Sequence, residues 1–441
     1  MNLVWYRNNL RTADNHPLVQ ACRGQSPVIA LYCFDPRHFE KDRFGFKRTE
    51  KFRARFLIET VTSLRQQLAK LNIPLLIYRA KPETLLPRIA QQLRVRNIFL
   101  QREWTRDEMQ VLESVRRADG MDRVQFQQSP DQFLLHPDDL RLAAPDNPPP
   151  IFTRFRQLVE KQPERTLPVR KPLPTPPPRA LQNLDAARGA PLQDRIPSLE
   201  DLGLNSFSTD RRSAFPFKGG ELEARQRIDH YFWQTENLKR YKHTRNGLVG
   251  TDYSAKLSPW LANGSLSPRQ VYWQVKAFEQ QVTANEDTYW LVFELLWRDF
   301  FKYISLKHGE RIFQLGGILQ KDYEWHRAPG ELERWINGET PSDFINANMR
   351  EIAASGWMSN RGRQNVASYF AREQKQDWRI GAAYFESLLL DCDVHSNYGN
   401  WMYISGIGSD PRKRHFNIDS QAQRYDPDGA YRNLWLKEPN R

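Results

Sequence analysis

The chain has 441 residues, room for two or three domains and a large core. Hydrophobic residues at 39% and charged residues at 27% exclude a disordered chain, and a net charge of +13 points to a polyanionic partner, or more plainly to solubility alone. Cys22, Cys33 and Cys392 are too scattered for a disulfide framework or a CxxC pair, which fits a reducing compartment. The opening MNLVWYRNNLR carries no signal-peptide pattern and no apolar run reaches a membrane span, so a cytoplasmic location away from membranes is expected.

Residues 1–130 alternate short apolar runs with helical patterns. LVWY (3–6), PVIALYCF (27–34), IPLLIY (73–78) and NIFL (97–100) read as buried strands. Between them RFLIETVTSLRQQLAKL (55–71) places Phe56, Thr60, Leu64 and Leu68 on one helix face. This spacing predicts a Rossmann-like parallel sheet with helices on both faces, whose ligands sit beyond the strand ends. No GxGxxG or Walker motif supports an ordinary dinucleotide or ATP site.

Residues 131–197 hold APDNPPP (144–150) and PVRKPLPTPPP (168–178). Proline fixes φ and removes backbone donors, so a long extended connector is expected, interrupted by a short helix near Phe152–Glu160. From 198 to 441 the pattern is helical and aromatic, as in LEARQRIDHYFWQT (222–235) and TYWLVFELLWRDFFKYISLK (288–307).

LLLDCDVHSNYGN (388–400) has the alternating carboxylates of a metal loop. As an EF-hand it fails: Ser396 stands where the turn glycine belongs and Met402 where the bidentate glutamate belongs. A His–carboxylate transition-metal site lacks further ligands at helical spacing, so no metal is expected. The plainer reading is a helix end running into a polar loop with solvated or capping aspartates. Elsewhere Asn360-Arg361-Gly362-Arg363 offers an arginine able to pair with a buried Asp. TDYSAKLSPWL (251–261) offers hydroxyls and backbone N–H groups that suit phosphate oxygens, or simply a Ser258 cap before Pro259. FELLWRDF (293–300) puts Glu294, Trp297 and Arg298 on one helix face, suited to stacking a nucleobase or to core packing with a surface ion pair. Carboxylates, a matched arginine, a phosphate cradle and many aromatics suit a bound dinucleotide flavin better than a metal.

DYSAKLSPWL, FELLWRDFF, WMSNRGRQNVASYF, DWRIGAAYFESLLLDCDVHSNYGNW and YISGIGSDPRKRHFNI resemble the photolyase/cryptochrome family, most closely its DASH branch, and VWYRNNLRTADNHPL matches the family's opening. The resemblance spans nearly the whole chain. It implies an α/β antenna domain over 1–130, the connector, and a helical FAD-binding domain over 198–441. Carried over by motif, Tyr241, Ser254, Ala255, Lys256, Leu257 and Ser258 bind FAD phosphates. Arg298, Asn360, Arg363, Asp391 and Asp393 surround the cofactor, and Asn397 faces flavin N5. Trp401, Trp378 and Trp325 match the electron-transfer triad, where core packing is the alternative. Arg245, Glu294, Trp297, Gln364 and Tyr403 face DNA, with Glu294, Trp297 and Asn397 as catalytic residues.

The implied reaction is light-driven electron donation from reduced FAD to a cyclobutane pyrimidine dimer, with the cofactor carrying the chemistry. Gln364 and Tyr403 stand where duplex-acting photolyases have Met and Trp, which fits a preference for single-stranded or looped DNA, with RNA as a further polyanion. Ala255 replaces a hydroxyl residue common in the family, at the expected loss of one hydrogen bond. Glu103 lies where the family holds a folate pterin, implying 5,10-methenyltetrahydrofolate as antenna; a routine loop carboxylate is the alternative. The chain ends soon after Leu434-Trp435-Leu436, so no long signalling tail is expected, and a monomer is expected. A blue-light photoreceptor that binds nucleic acid and repairs little is the competing reading.

Overall fold

The structure, a computed structural model, describes residues 1–140, 147–161, 167–190, 195–410 and 415–437. Residues 144–146 of the Pro-rich stretch and 411–414 of the YISGIGSDPRKRHFNI motif therefore lie outside the described residues.

The first half winds β1 (Asn2–Tyr6), α1 (His16–Ala21), β2 (Val28–Cys33), α2 (Lys51–Ala69), β3 (Leu75–Tyr78), α3 (Pro82–Gln92), β4 (Asn97–Gln101), α4 (Arg106–Arg117) and β5 (Gln125–Ser129). All pairings are parallel and the strand order is β3-β2-β1-β4-β5. Successive side chains leave opposite faces of a strand, and both faces are covered here. Val4, Tyr6, Ala30 and Ile77 meet Val61, Leu64 and Leu68 of α2 on one face. Leu3, Trp5, Leu31 and Leu100 meet Leu86, Ile89, Leu112 and Val115 of α3 and α4 on the other.

β5 was not expected. Its sequence QFQQS has one apolar residue, because it is an edge strand whose side chains stay largely exposed and whose stability comes from backbone pairing to β4.

The connector helix α5 (Phe152–Glu160) forms as expected, and Phe152, Phe155 and Val159 are buried in the core of the helical half. Further along the connector, Asn183 ties to the sheet by accepting from the Val28 N–H and donating to the Val28 and Asn72 carbonyls. The helical half opens with α6 (Glu221–Ile228), α7 (Tyr241–Thr244), α8 (Ser258–Asn263), α9 (Pro268–Gln281) and α10 (Glu286–His308). It continues with α11 (Pro329–Asn337), α12 (Asp343–Ser355), α13 (Asn360–Ser368), α14 (Trp378–Leu388), α15 (Val394–Ser405), α16 (Ile418–Tyr425) and α17 (Ala430–Leu436). Among the described residues no helix is long and apolar enough to cross a membrane.

Buried charges fix the two halves together. Asp131, just after β5, accepts from Arg11 at 2.8 Å and from Arg269 of α9 at 2.6 Å. Asp14 takes the Arg269 Nε at 3.0 Å and the Ser267 hydroxyl. All four charged side chains are at most 6% exposed, so removing one partner would strand the others in low dielectric.

Candidate functional site

The segment from Thr251 to Ser258 runs over the helical core before α8. Arg227 of α6 organises it: its guanidinium donates to the carbonyls of Thr251, Ser254 and Ala255 and pairs with Asp252 at 2.7 Å. Sequence reasoning missed Arg227, because an arginine inside LEARQRIDHY has the look of a solvated helix face. Ser258 proves to be the first helical residue and makes no cap; Leu257 holds the cap position, without a side-chain hydrogen bond.

Lys256 has φ of 54°, a left-handed conformation that L side chains rarely adopt. The twist sends its side chain inward. Its ammonium lies 3.1 Å from the centre of the Tyr253 ring and 5.0 Å from that of Trp357, and it has no hydrogen-bond partner. Burial drives its pKa well below the usual lysine range. Glu351 of α12 faces it, itself pushed up to about 8 by burial, although the Tyr431 hydroxyl donates to it at 2.6 Å.

Asp391 and Asp393 do not share a ligand; they look to different cations. Arg363 of α13 places Nη2 at 2.9 and 3.0 Å from the two Asp391 oxygens while its Nε donates to the Met358 carbonyl. Asp391 Oδ1 receives no directed hydrogen bond. Asp393 caps α15 by accepting from the Ser396 N–H and pairs with Lys302 of α10 at 2.9 Å. Burial alone would raise the Asp393 pKa, but Lys302, His395 and Arg298 together hold it far below the usual carboxylate range. Asn397 is buried one turn into α15 and spends one amide N–H on the Ala382 carbonyl, which leaves a second. Asn360 is exposed at the start of α13, whose cap is Ser359.

On α10, Glu294 pairs with Arg245 at 2.6 Å, and its pKa is raised by burial against the opposing pull of Arg245. Tyr241, at the start of α7, is buried near the same pair. Trp297 meets Tyr403 of α15 edge-on, centroids 5.6 Å apart. One of its faces is stacked on Phe152 from the connector, which sequence reasoning did not foresee. Arg298 turns away from this face and donates to the Gln132 and Leu261 carbonyls. Gln364 accepts from Arg361 at 2.9 Å.

The three triad tryptophans fall in order along α14. Trp401 packs on Gly381, where a Cβ would come within 2.3 Å of the indole, so that position requires glycine. Trp378 lies one turn earlier on α14, fully buried, donating to the Leu315 carbonyl. A parallel bridge between His326 and Gln376 brings Trp325, half-buried, beside the start of α14.

The DNA photolyase model matches residues 2–178 and the model for the FAD binding domain of DNA photolyase matches residues 290–441. The chain is 46% identical to a cryptochrome DASH of Gloeobacter violaceus over 99% of its own length and 85% of the relative's. The chain belongs to the photolyase/cryptochrome family, in its cryptochrome DASH branch. A Xenopus laevis cryptochrome DASH is 44% identical, with 98% of this chain and 82% of that one covered. The crystal structure of a Synechocystis sp. cryptochrome superposes with a TM-score of 0.92 at 40% identity, covering 99% of this chain and 88% of the other. A class III photolyase from Agrobacterium tumefaciens, at 24% identity and a TM-score of 0.81, shares the fold across 99% of this chain and 86% of that one.

FAD is therefore the cofactor of the helical domain, and the residues fit it. Lys256 Nζ, buried without a hydrogen-bond partner, and Asp391 Oδ1, which has the Arg363 ion-pair contact and no directed hydrogen bond, leave buried polar valences open. A dinucleotide flavin would offer phosphates and ring N–H groups of the kind these open valences take.

Proposed function

We propose that the chain is a light-driven lyase that splits cyclobutane pyrimidine dimers in single-stranded or looped DNA. FAD, when bound, supplies the absorption of blue light and the electron. The protein's part is to bind, orient and exclude water. Tyr241 and the segment Ser254, Ala255, Lys256, Leu257 and Ser258 hold the phosphates, with Lys256 as countercharge and Arg227 fixing the loop. Arg298, Asn360, Arg363, Asp391 and Asp393 frame the rings, and the remaining N–H of Asn397 donates to the flavin edge. Trp401, Trp378 and Trp325 relay electrons between that site and the surface.

The observation that carries the repair reading is the face of α10. Glu294, its carboxyl pKa pushed up by burial and pulled down by Arg245, presents that carboxyl on the same helix face as Trp297, beside the indole edge that Tyr403 flanks, where a pyrimidine would stack. Arg245 stands there to meet the DNA backbone. A competing reading is a blue-light photoreceptor that binds nucleic acid; the engagement of Gln364 with Arg361 favours it, since that amide is partly committed within the protein.

Glu103 supports a pterin antenna. It is 7% exposed, its pKa is raised by burial, and beside it Gln101 Oε1 and Arg7 Nε lack partners. Buried polar groups with open valences suit a ring rich in donors and acceptors.

The test is thymine-dimer splitting in a single-stranded oligonucleotide by fully reduced protein, under blue light and in the dark. Light-dependent splitting is expected. None in either arm would move the reading to the photoreceptor.

A further inference from the structure

The two chromophore sites of this reading are joined by an unbroken line of buried side chains. Glu103 follows β4; its Oε1 accepts from Gln101 Nε2 at 2.8 Å and its Oε2 from Gln132 Nε2 at 3.0 Å. Gln132 lies just past β5, on the segment that carries Asp131. Its Oε1 accepts from Lys302 Nζ at 2.6 Å. Lys302 also donates to Asp393 Oδ2 at 2.9 Å, and Asp393 caps α15, the helix that bears Asn397 and Trp401. Glu103, Gln132 and Lys302 are 7%, 6% and 1% exposed, so solvent cannot replace a lost link.

The chemistry of each neighbour fixes which way the Gln132 amide points. An ammonium only donates, so Lys302 takes the amide oxygen. The amide nitrogen is left for two acceptors, the Glu103 carboxylate and the Arg102 carbonyl at 3.0 Å. No other uncharged side chain of this length offers a donor at one corner and an acceptor at the other. Leucine offers neither, glutamate offers acceptors alone, and lysine would repel Lys302. The contact to Arg298 uses the Gln132 main chain, so it survives any change of side chain.

We propose that Gln132 is a positioning residue shared by both chromophore sites: it orients Glu103 with its amide nitrogen and, through Lys302, Asp393 with its amide oxygen, so that pterin binding and flavin retention are coupled. This rests on the flavin and pterin sites assigned above. Coupling of this kind is reciprocal: whatever pterin does to flavin affinity, flavin does to pterin affinity.

The experiment uses flavin-loaded, full-length protein in the dark. Flavin release is followed by the rise of free-flavin fluorescence after dilution, with and without saturating 5,10-methenyltetrahydrofolate, and pterin binding is titrated separately by absorbance. In wild type the pterin should slow flavin release. Q132L should release flavin several-fold faster, bind pterin several-fold more weakly and lose the pterin effect. Q132E keeps an oxygen for Lys302 but no donor for Glu103, so it should release flavin at the wild-type rate while binding pterin weakly. Should Q132L fail to fold, Q132N, one methylene too short to span both partners, replaces it with the same expected result. Wild-type flavin release from Q132L or Q132N would overturn the proposal, as would equally fast release from Q132L and Q132E, which marks a merely structural site. Wild type that binds flavin but no pterin overturns the antenna reading and the coupling with it. Wild type that binds both, with no effect of Q132L, overturns the coupling alone.

Discussion

The ring of Phe152 lies 3.7 Å from that of Trp297, centroid to centroid, at an interplanar angle of 12°. The connector between the two domains thus supplies one wall of the proposed lesion site, and Trp297 keeps its edge and its Tyr403 side for a base. An aromatic pair of this geometry is worth about 0.5–1.5 kcal/mol beyond its buried area. Phe152→Leu keeps most of the volume and removes the flat surface that sets the indole plane. Its affinity for a dimer-containing single strand should fall by roughly twofold to tenfold, with the flavin-to-protein ratio unchanged. A fluorescence anisotropy titration checks this, and unchanged affinity would mean that Trp297 is held in place by Tyr403 and its helix neighbours alone.

Asp391→Ala should weaken flavin retention. Losing one member of a buried ion pair costs about 3–5 kcal/mol. Arg363 is 24% exposed and keeps the Met358 carbonyl, which places the cost at or below the lower end. The ratio of flavin to protein absorbance after gel filtration should fall well below that of wild type. A full complement of flavin in the variant would contradict the assignment of Asp391.

Trp401→Phe should slow photoreduction of oxidised flavin, since phenylalanine is far harder to oxidise than tryptophan. Trp401 lies against Gly381, one turn from Trp378, so its loss opens a gap in this line of indoles. Dimer splitting by protein already reduced chemically should survive, because that reaction does not draw on the relay. Steady photoreduction at the wild-type rate would show that electrons enter by another path.

Glu351 gives the protein a pH dependence with a definite sign. Its pKa in the fold, about 8, lies above its ordinary 4.5 because it is wholly buried. A raised value means that its contribution to stability is fully present below pH 4.5 and is lost as pH rises through 8. The loss is bounded by roughly 1.4 kcal/mol for each pH unit between the two values. Glu351→Gln fixes the neutral form, so the variant should gain on wild type between pH 5 and pH 9 in thermal unfolding midpoint. Parallel midpoints across that range would show that Glu351 ionises freely in the fold.

Much of the architecture is legible in the sequence where burial writes it there. VIALYC reads as a central parallel strand because both its faces are covered, while QFQQS is silent because an edge strand needs no apolar side chains. Helix α5 is legible from its own residues. Its stacking on Trp297 is not, because a contact between distant segments leaves no local periodicity. The same holds for Arg227 and Gln132. Their partners are backbone carbonyls and side chains of other elements, and nothing beside them in the chain marks them.

Substrate preference tests the central claim. A dimer within a duplex must be unstacked and flipped at a cost of a few kcal/mol. Here one face of Trp297 is taken by Phe152, Tyr403 meets it edge-on, and Gln364 is held by Arg361, so little apolar surface remains to offset that cost. The decisive measurement is the rate of thymine-dimer splitting under blue light on matched single-stranded and duplex oligonucleotides at one salt concentration, for wild type and for Gln364→Met with Tyr403→Trp. Salt is fixed because phosphate contacts by a chain of net charge +13 weaken as salt rises. The account predicts that wild type repairs the single strand far faster than the duplex and that the double variant narrows the gap. Equal rates on the two substrates with wild type would contradict it.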